Sequence, residues 1–309
     1  MERLLIVTSS PHIKSGTTTR RIMLDVLIAL CPTLAVSVWY YGPRALACVL
    51  ISVASCIFFE WGSQKVFRRP CSVSDLSAAV TGVILAFNLP ATTPLWIFPI
   101  GAFFAIVIVK QLFGGIGQNF ANPALTARII IMLSFAGKIS NYVLPFEWFG
   151  QSGVDGVSSA TPLAANHAPE LWKLFLGLHG GALGETCALT LLIGGIYLVI
   201  RRVISPFVPV IFIGSATLLC WAFGADPMVS MLSGGLFLGA IFMATDYATT
   251  PSTLPGKIIF ALGCGFLTAL IRCFGSYPEG VSFAILLMNV CTPLIDRFTR
   301  QKPFGGEAK

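Results

Sequence analysis

Charge is scarce in this sequence. Only 11% of its 309 residues are Asp, Glu, Lys or Arg, against roughly 25% in soluble domains. With 55% hydrophobic residues, the composition argues against a soluble core and for a polytopic membrane protein. Histidine is nearly absent. His12, His167 and His179 all lie outside the apolar runs, which removes the paired intramembrane ligands of a b-type haem. The nine cysteines include no Cys-x-x-Cys, so the spacing spells out neither an iron–sulfur nor a zinc framework. All but Cys71 fall in or at the ends of apolar runs and read as small packing residues. The first apolar run contains Asp25 and lacks a small-residue cleavage site, so the polar segment ending in Arg20-Arg21 is not a removable signal peptide. The net charge of +7 resides in residues that flank apolar segments, as membrane anchors do, and excludes nucleic acid as a partner. An electron carrier in such a chain must be organic.

What is present is an almost unbroken series of apolar segments. About ten reach the length needed to cross roughly 30 Å of hydrocarbon: 22–40, 45–61, 75–89, 95–110, 123–136, 184–200, 206–223, 229–247, 257–273 and 281–295. Lys and Arg collect on one side, at positions such as Arg20, Arg21, Lys65, Arg68, Arg69, Lys110, Arg201, Arg202, Lys257 and Arg297. The opposite side has Arg44, Lys138, Lys173 and Arg272. The rich side is expected to be cytoplasmic, with both termini, and the long polar loop external. The chain divides into 1–136 (tail and first five spans), 137–183 (external loop) and 184–309 (second five spans and tail). Ala91-Thr-Thr-Pro94 after the third span is echoed by Ala248-Thr-Thr-Pro251 after the eighth, and Lys110-Gln-Leu-Phe113-Gly114 by Arg272-Cys-Phe274-Gly275. Five is odd, so the second copy enters the membrane inverted. The expected fold is all-α, two inverted five-helix repeats with any central site near their interface.

Several segments combine Gly or Pro with an amide or carboxylate: Phe87-Asn88-Leu89-Pro90, the stretch from Phe113 to Ala124, and Phe242-Met-Ala-Thr245-Asp246-Tyr247. Irregular backbone at membrane depth survives only where protein buries it or where it lines a cavity; the Gly-rich stretch also suits a surface loop. Asn119 and Asn122 either cap a broken helix or offer amide hydrogen bonds to a ligand. Asp25, Asp75 and Asp246 stand in or at the ends of spans, where insertion of a charge costs about 2.5 to 3.5 kcal/mol. They are the candidates for an ion path, Asp246 first, unless it caps a helix or pairs with Lys257. In the polar loop, Ser159-Ala160-Thr161-Pro162 suits a helix start, with Thr as N-cap and Pro at the first helical position.

Asp155-Gly-Val-Ser158-Ser159-Ala160-Thr161 resembles the Asp-x-x-Ser/Thr-Gly-Ala-Thr flavinylation motif, in which the last Thr hydroxyl forms a phosphoester with FMN; Ser159 replaces the usual Gly. Ser10-Pro-His12-Ile-Lys-Ser15 through Asp25, Gly117-Gln-Asn119-Phe-Ala-Asn122-Pro-Ala124 and Met243-Ala-Thr-Asp246 resemble motifs of the RnfD/NqrB family. Together they span nearly the whole chain. The resemblance implies a subunit of an ion-translocating ferredoxin:NAD oxidoreductase in a bacterial cytoplasmic membrane, redox-active as part of a complex and not catalytic alone. It implies covalent FMN on Thr161, attached by a separate flavin transferase, and a non-covalent riboflavin near Asn119 and Asn122. The other membrane and soluble Rnf redox subunits are the implied partners. Asp155, Ser158 and Ala160 then serve the transferase or the loop geometry. Broken spans and an inverted repeat alone would equally fit a channel or secondary transporter, or an anchor for redox partners, because a fold does not fix function.

Overall fold

A computed structural model describes residues 17–146, 171–185, 187–275 and 280–300. Within them the protein is all-helical. Four helices are long and apolar enough to cross a membrane: α1 (Thr19–Tyr41), α2 (Pro43–Val66), α12 (Leu254–Phe274) and α13 (Val281–Phe298). Five shorter apolar helices stand among them: α3 (Ser77–Phe87), α4 (Ile97–Ala102, continued as a π-helix over Phe103–Gln111), α5 (Pro123–Ser134), α8 (Ala188–Ile200) and α9 (Phe207–Ala222). The short α6 (Ala136–Ile139) and α7 (Leu171–Leu176) flank the polar loop. The expected span 229–247 is not one helix. It is α10 (Pro227–Leu232), a break, and α11 (Leu236–Leu238) running into a π-helix over Gly239–Met243. Gly234 and Gly235 make the break, both at φ 67°, a left-handed backbone that other residues adopt only with strain.

Local chemistry explains where the helices start. Thr18, Asn122, Asp226 and Thr253 each accept hydrogen bonds from first-turn N–H groups of α1, α5, α10 and α12, and the last three helices carry Pro in that turn, where its missing N–H is not needed. The α1–α2 corner turns on Gly42 at φ 69°, followed at once by Pro43. Large apolar side chains such as Leu50 and Phe58 on α2, Ile193 and Ile196 on α8, and Leu287 and Leu294 on α13 are exposed, as expected of surfaces solvated by lipid rather than water. Inside, small residues allow close crossings. A Cβ on Gly82 would lie 2.7 Å from Cα of Val53 on α2, and one on Gly194 of α8 would lie 2.3 Å from the Ala29 carbonyl of α1. Thus α1, from the first series of spans, packs on α8 of the second. Thr33 Oγ1 donates to Thr190 Oγ1 across this contact (3.2 Å) and Ser37 Oγ to the Leu183 carbonyl (2.6 Å).

Candidate functional site: a polar cavity at one end of α1

The first two turns of α1, the start of α5, the end of α8 and the turn after Met243 enclose a cavity of about 770 Å³, a volume typical of small-molecule sites. Asp25, Asn119, Asn122 and Asp246 all line it. Asp75 does not: it sits in the turn Val73–Asp75 before α3, where its Oδ1 accepts from Ser77 N at 2.8 Å. The four residues brought together are used differently. Asp25 is buried and accepts from Tyr197 (3.0 Å) and Arg201 (3.3 Å), tying α1 to α8. Asn122 caps α5 through Oδ1, accepting from Ala124 N (3.1 Å) and Leu125 N (3.3 Å), and its Nδ2 donates to the Met243 carbonyl at 3.4 Å. Asn119 Oδ1 is buried and has no hydrogen-bond partner among the described residues. Asp246 accepts from Ala248 N (3.4 Å) and Thr249 Oγ1 (3.3 Å); among the described residues it pairs with neither Lys257 nor another cation.

One wall of the cavity carries Lys110, which charge counting alone assigns to the exposed basic face. In the structure it is buried at 3% exposure on a fully buried Glu60, at 2.8 Å, and also donates to Ser77 Oγ at 2.6 Å. Gln64 and Gln111 complete the carboxylate's shell at 3.3 and 3.2 Å. A second buried cluster lies where the two series of spans meet. Arg128, inside α5, donates to Asn88 Oδ1 (2.7 Å) and Glu185 Oε1 (3.1 Å). Leu183 N and Gly184 N satisfy the carbonyls of Leu89 and Phe87 that the end of α3 leaves free. Glu60, Lys110, Asn88, Arg128 and Glu185 are absent from the sequence-derived site. A signal existed for Glu60 and Arg128, each a lone charge in an apolar run, where burial without function or a partner is costly.

Asp155, Ser158, Ala160 and Thr161 fall in 147–170, outside the described residues. The described ends of that interval are both fastened near the far end of α1: Phe146 N donates to the Tyr40 carbonyl at 2.9 Å and its ring packs edge-on against Tyr40, while Tyr40 OH donates to the Leu176 carbonyl at 2.9 Å. Asp25 and Tyr40 are fifteen residues apart on one helix, about 22 Å at 1.5 Å per residue. The cavity and the roots of the Thr161 loop therefore occupy opposite ends of the bundle. His179, at the loop end, is buried with Nδ1 unpartnered among the described residues, and burial pushes its imidazole down to about 4; it is neutral near pH 7 and offers no charge to a phosphate.

The profile of the NQR2, RnfD, RnfE family matches residues 6–305. The chain belongs to that family. Among curated relatives, the D component of the Na⁺-translocating ferredoxin:NAD⁺ oxidoreductase complex of Acetobacterium woodii is 49% identical, over 97% of this chain and 95% of the relative. The D component of the proton-translocating ferredoxin:NAD⁺ oxidoreductase complex of Clostridium ljungdahlii is 39% identical, over 98% and 97%. The D component of the ion-translocating oxidoreductase complex of Escherichia fergusonii is 35% identical, over 97% and 98%. Relatives this similar carry names with different ions, so membership of the NQR2, RnfD, RnfE family does not assign the ion.

Proposed function

We propose that this chain is the flavin-carrying electron-transfer subunit of a membrane complex that couples ferredoxin:NAD⁺ oxidoreduction to movement of Na⁺ or H⁺. FMN is esterified to Thr161 by a flavin transferase, and a second, non-covalent flavin such as riboflavin occupies the cavity beside Asn119 and Asn122. The observation that carries the reading is the cavity itself: it has the size for a planar cofactor, and the buried Oδ1 of Asn119 is an acceptor with no donor among the described residues, such as a ring N–H provides. Bound flavin supplies the electron-accepting chemistry. The chain supplies placement. Val80, Ile84 and Ile241 give the cavity apolar walls, Asn119 offers an acceptor, and Lys110 and Arg201 stand on its polar side, held there by Glu60 and Asp25. The exposed apolar helix faces sit in lipid of a bacterial cytoplasmic membrane with both termini inside, and the other Rnf membrane and soluble redox subunits are the partners. The two five-span series are inverted repeats. This is supported by the two Ala-Thr-Thr-Pro turns, each following a short helix and leading into the next, in which the second Thr donates back, Thr93 N to the Pro90 carbonyl and Thr250 N to the Asp246 carbonyl.

The test of covalent attachment is flavin fluorescence of the subunit after denaturing electrophoresis. Thr161→Ala is expected to lose that fluorescence entirely while the chain inserts and assembles at the wild-type level. Covalent flavin persisting on the variant, mapped to another residue, overturns the assignment.

A further inference from the structure

Two cysteines meet at the ends of α9 and α12 remote from the cavity. Cys220, in the last turn of α9, is fully buried, and Cys273, next to last in α12, is half-buried; both are free thiols. Their side chains are interacting neighbours. Contacts on either side fix the register of this meeting. Just beyond the thiols, Phe223 and Phe274 pack edge to face with ring centres 5.1 Å apart. Further down, Gly265 allows so close a crossing that a Cβ there would stand 2.9 Å from the Ala216 backbone nitrogen. Two helices held together on both sides of the two thiols keep them side by side, the arrangement from which a disulfide forms when the Cα atoms stand roughly 4.4 to 6.8 Å apart.

We propose that Cys220 and Cys273 form a reversible modification site, a dithiol that a low-molecular-weight disulfide oxidises to an intramolecular disulfide. Cys273 is the entry point because it alone of the two is reached from the surface. Its thiolate attacks one sulfur of the external disulfide and one external thiolate leaves; the Cys220 thiolate then attacks Sγ of Cys273 and expels the second. Two electrons pass from the cysteines to the external disulfide, and the two cysteine protons end on the released thiols. The bond ties α9 to α12 beside Arg272, whose guanidinium donates to the carbonyls of Ser233 and Gly234 at 3.0 Å. Oxidation thus bears on the helix that steadies the α10–α11 break.

The test uses assembled complex in membranes, treated with glutathione disulfide, blocked with an alkylating reagent under denaturing conditions, and digested without reduction. The expected product is a peptide pair joined through Cys220 and Cys273 that separates on reduction. Cys273→Ala should abolish the pair and leave Cys220 unmodified, whereas Cys220→Ala should stop the reaction at a glutathione adduct on Cys273. Flavin content reports that both alanine variants are folded. Absence of the joined pair from the wild-type complex, or a stable glutathione adduct on wild-type Cys273 in its place, overturns the proposal.

Discussion

Asn122 is engaged through both ends of its amide, by the α5 N–H groups and by the Met243 carbonyl, whereas Asn119, three positions earlier, holds a buried oxygen with no partner among the described residues. Residue type announced both as amides at a helix break; only the structure separates cap from ligand group, because the partners of Asn122 come partly from a segment more than a hundred residues away. Asn119→Ala is accordingly expected to lower the flavin released by denaturation from the complex, with covalent flavin on Thr161 unchanged. Equal release from variant and wild type would remove Asn119 from the site. Asn122→Ala should instead cost about 1 kcal/mol as a lost N-cap, read as a lower thermal midpoint, and Asn122→Asp should restore the cap. Glu60 and Lys110 call for a paired test. Removing one member of a buried pair strands the other, at roughly 3 to 5 kcal/mol, while replacing both by apolar groups of similar size is often neutral. Glu60→Gln or Lys110→Met alone should therefore reduce the yield of folded complex sharply, and the double replacement Glu60→Leu with Lys110→Met should recover most of it. Additive losses would show that the pair does not act as a unit. His179 gives a pH signature: its folded-state value near 4 lies below the ordinary value of about 6.5. The unfolded chain then binds the proton first, so this histidine's contribution is complete above about pH 6.5 and is lost as pH falls toward 4. His179→Gln should flatten the fall of the thermal midpoint across that window.

At the scale of elements, the long spans were legible, and so were the interruptions after Phe87, between Gln111 and Pro123 and after Met243, but the break inside 229–247 was not. Continuous apolar runs bounded by Thr, Gly and Pro located α1, α2, α12 and α13 to within a few residues, because caps and hydrophobic length act locally. The span 229–247 failed as a continuous helix because Gly234-Gly235 is compatible with a helix in an apolar window and becomes a break only when Glu185 and Arg272 arrive from elsewhere. Glu185 Oε1 would stand 2.5 Å from a Cβ on Gly235, and Arg272 takes the carbonyls that the break exposes. The π-helical stretches 103–111 and 239–243 were equally invisible, since the wider turn that closes Leu112 N on the Val107 carbonyl and Ala244 N on the Gly239 carbonyl is a response to packing and not to composition. Both stretches lead toward the cavity, ending near Lys110 and Thr245, in keeping with the frequency of π-turns at functional sites. The α1–α8 crossing is the element contact most exposed to a single change. Gly194→Ala places a methyl group 2.3 Å from the Ala29 carbonyl, and overpacking of this kind costs about 1 to 3 kcal/mol. The variant should melt several degrees lower, and Ala29→Gly should not rescue it, because the obstructing atom belongs to the backbone.

At the scale of the whole molecule, one end holds the cavity with Asn119, Asp246 and Lys110, and the other holds the roots of the loop that carries Thr161. Orientation in the membrane was drawn from Lys and Arg, a rule about exposed flanks. It survives the finding that Lys110 is buried, because Arg21, Arg201, Arg202 and Lys257 remain at the cavity end. What an ion would need is a route between the ends, and the half-buried carboxylate of Asp246, held in its turn by Ala248 and Thr249 with no cation paired to it among the described residues, is the group best placed to receive one. A carboxylate at a helix break binds a cation through its own charge together with freed backbone carbonyls. Asp25 is already engaged by Arg201, and Asp75 by the Ser77 N–H and hydroxyl at the start of α3. Removing only the charge of Asp246 should leave the turn intact, because Asn keeps one acceptor oxygen for Ala248 N while its Nδ2 donates to the Thr249 hydroxyl in place of the second carboxylate oxygen. Asp246→Asn is therefore expected to assemble, to leave the flavin content proposed for the subunit unchanged, and to lower the number of ions moved per electron in sealed vesicles containing the whole complex. The measurement pairs ion uptake with ferredoxin-dependent NAD⁺ reduction in the same vesicles, first with Na⁺ present and then in Na⁺-free buffer with a proton indicator. A ratio unchanged under both conditions would take Asp246 out of the ion path and confine this subunit to carrying electrons; failed assembly of the variant would make the carboxylate a structural cap.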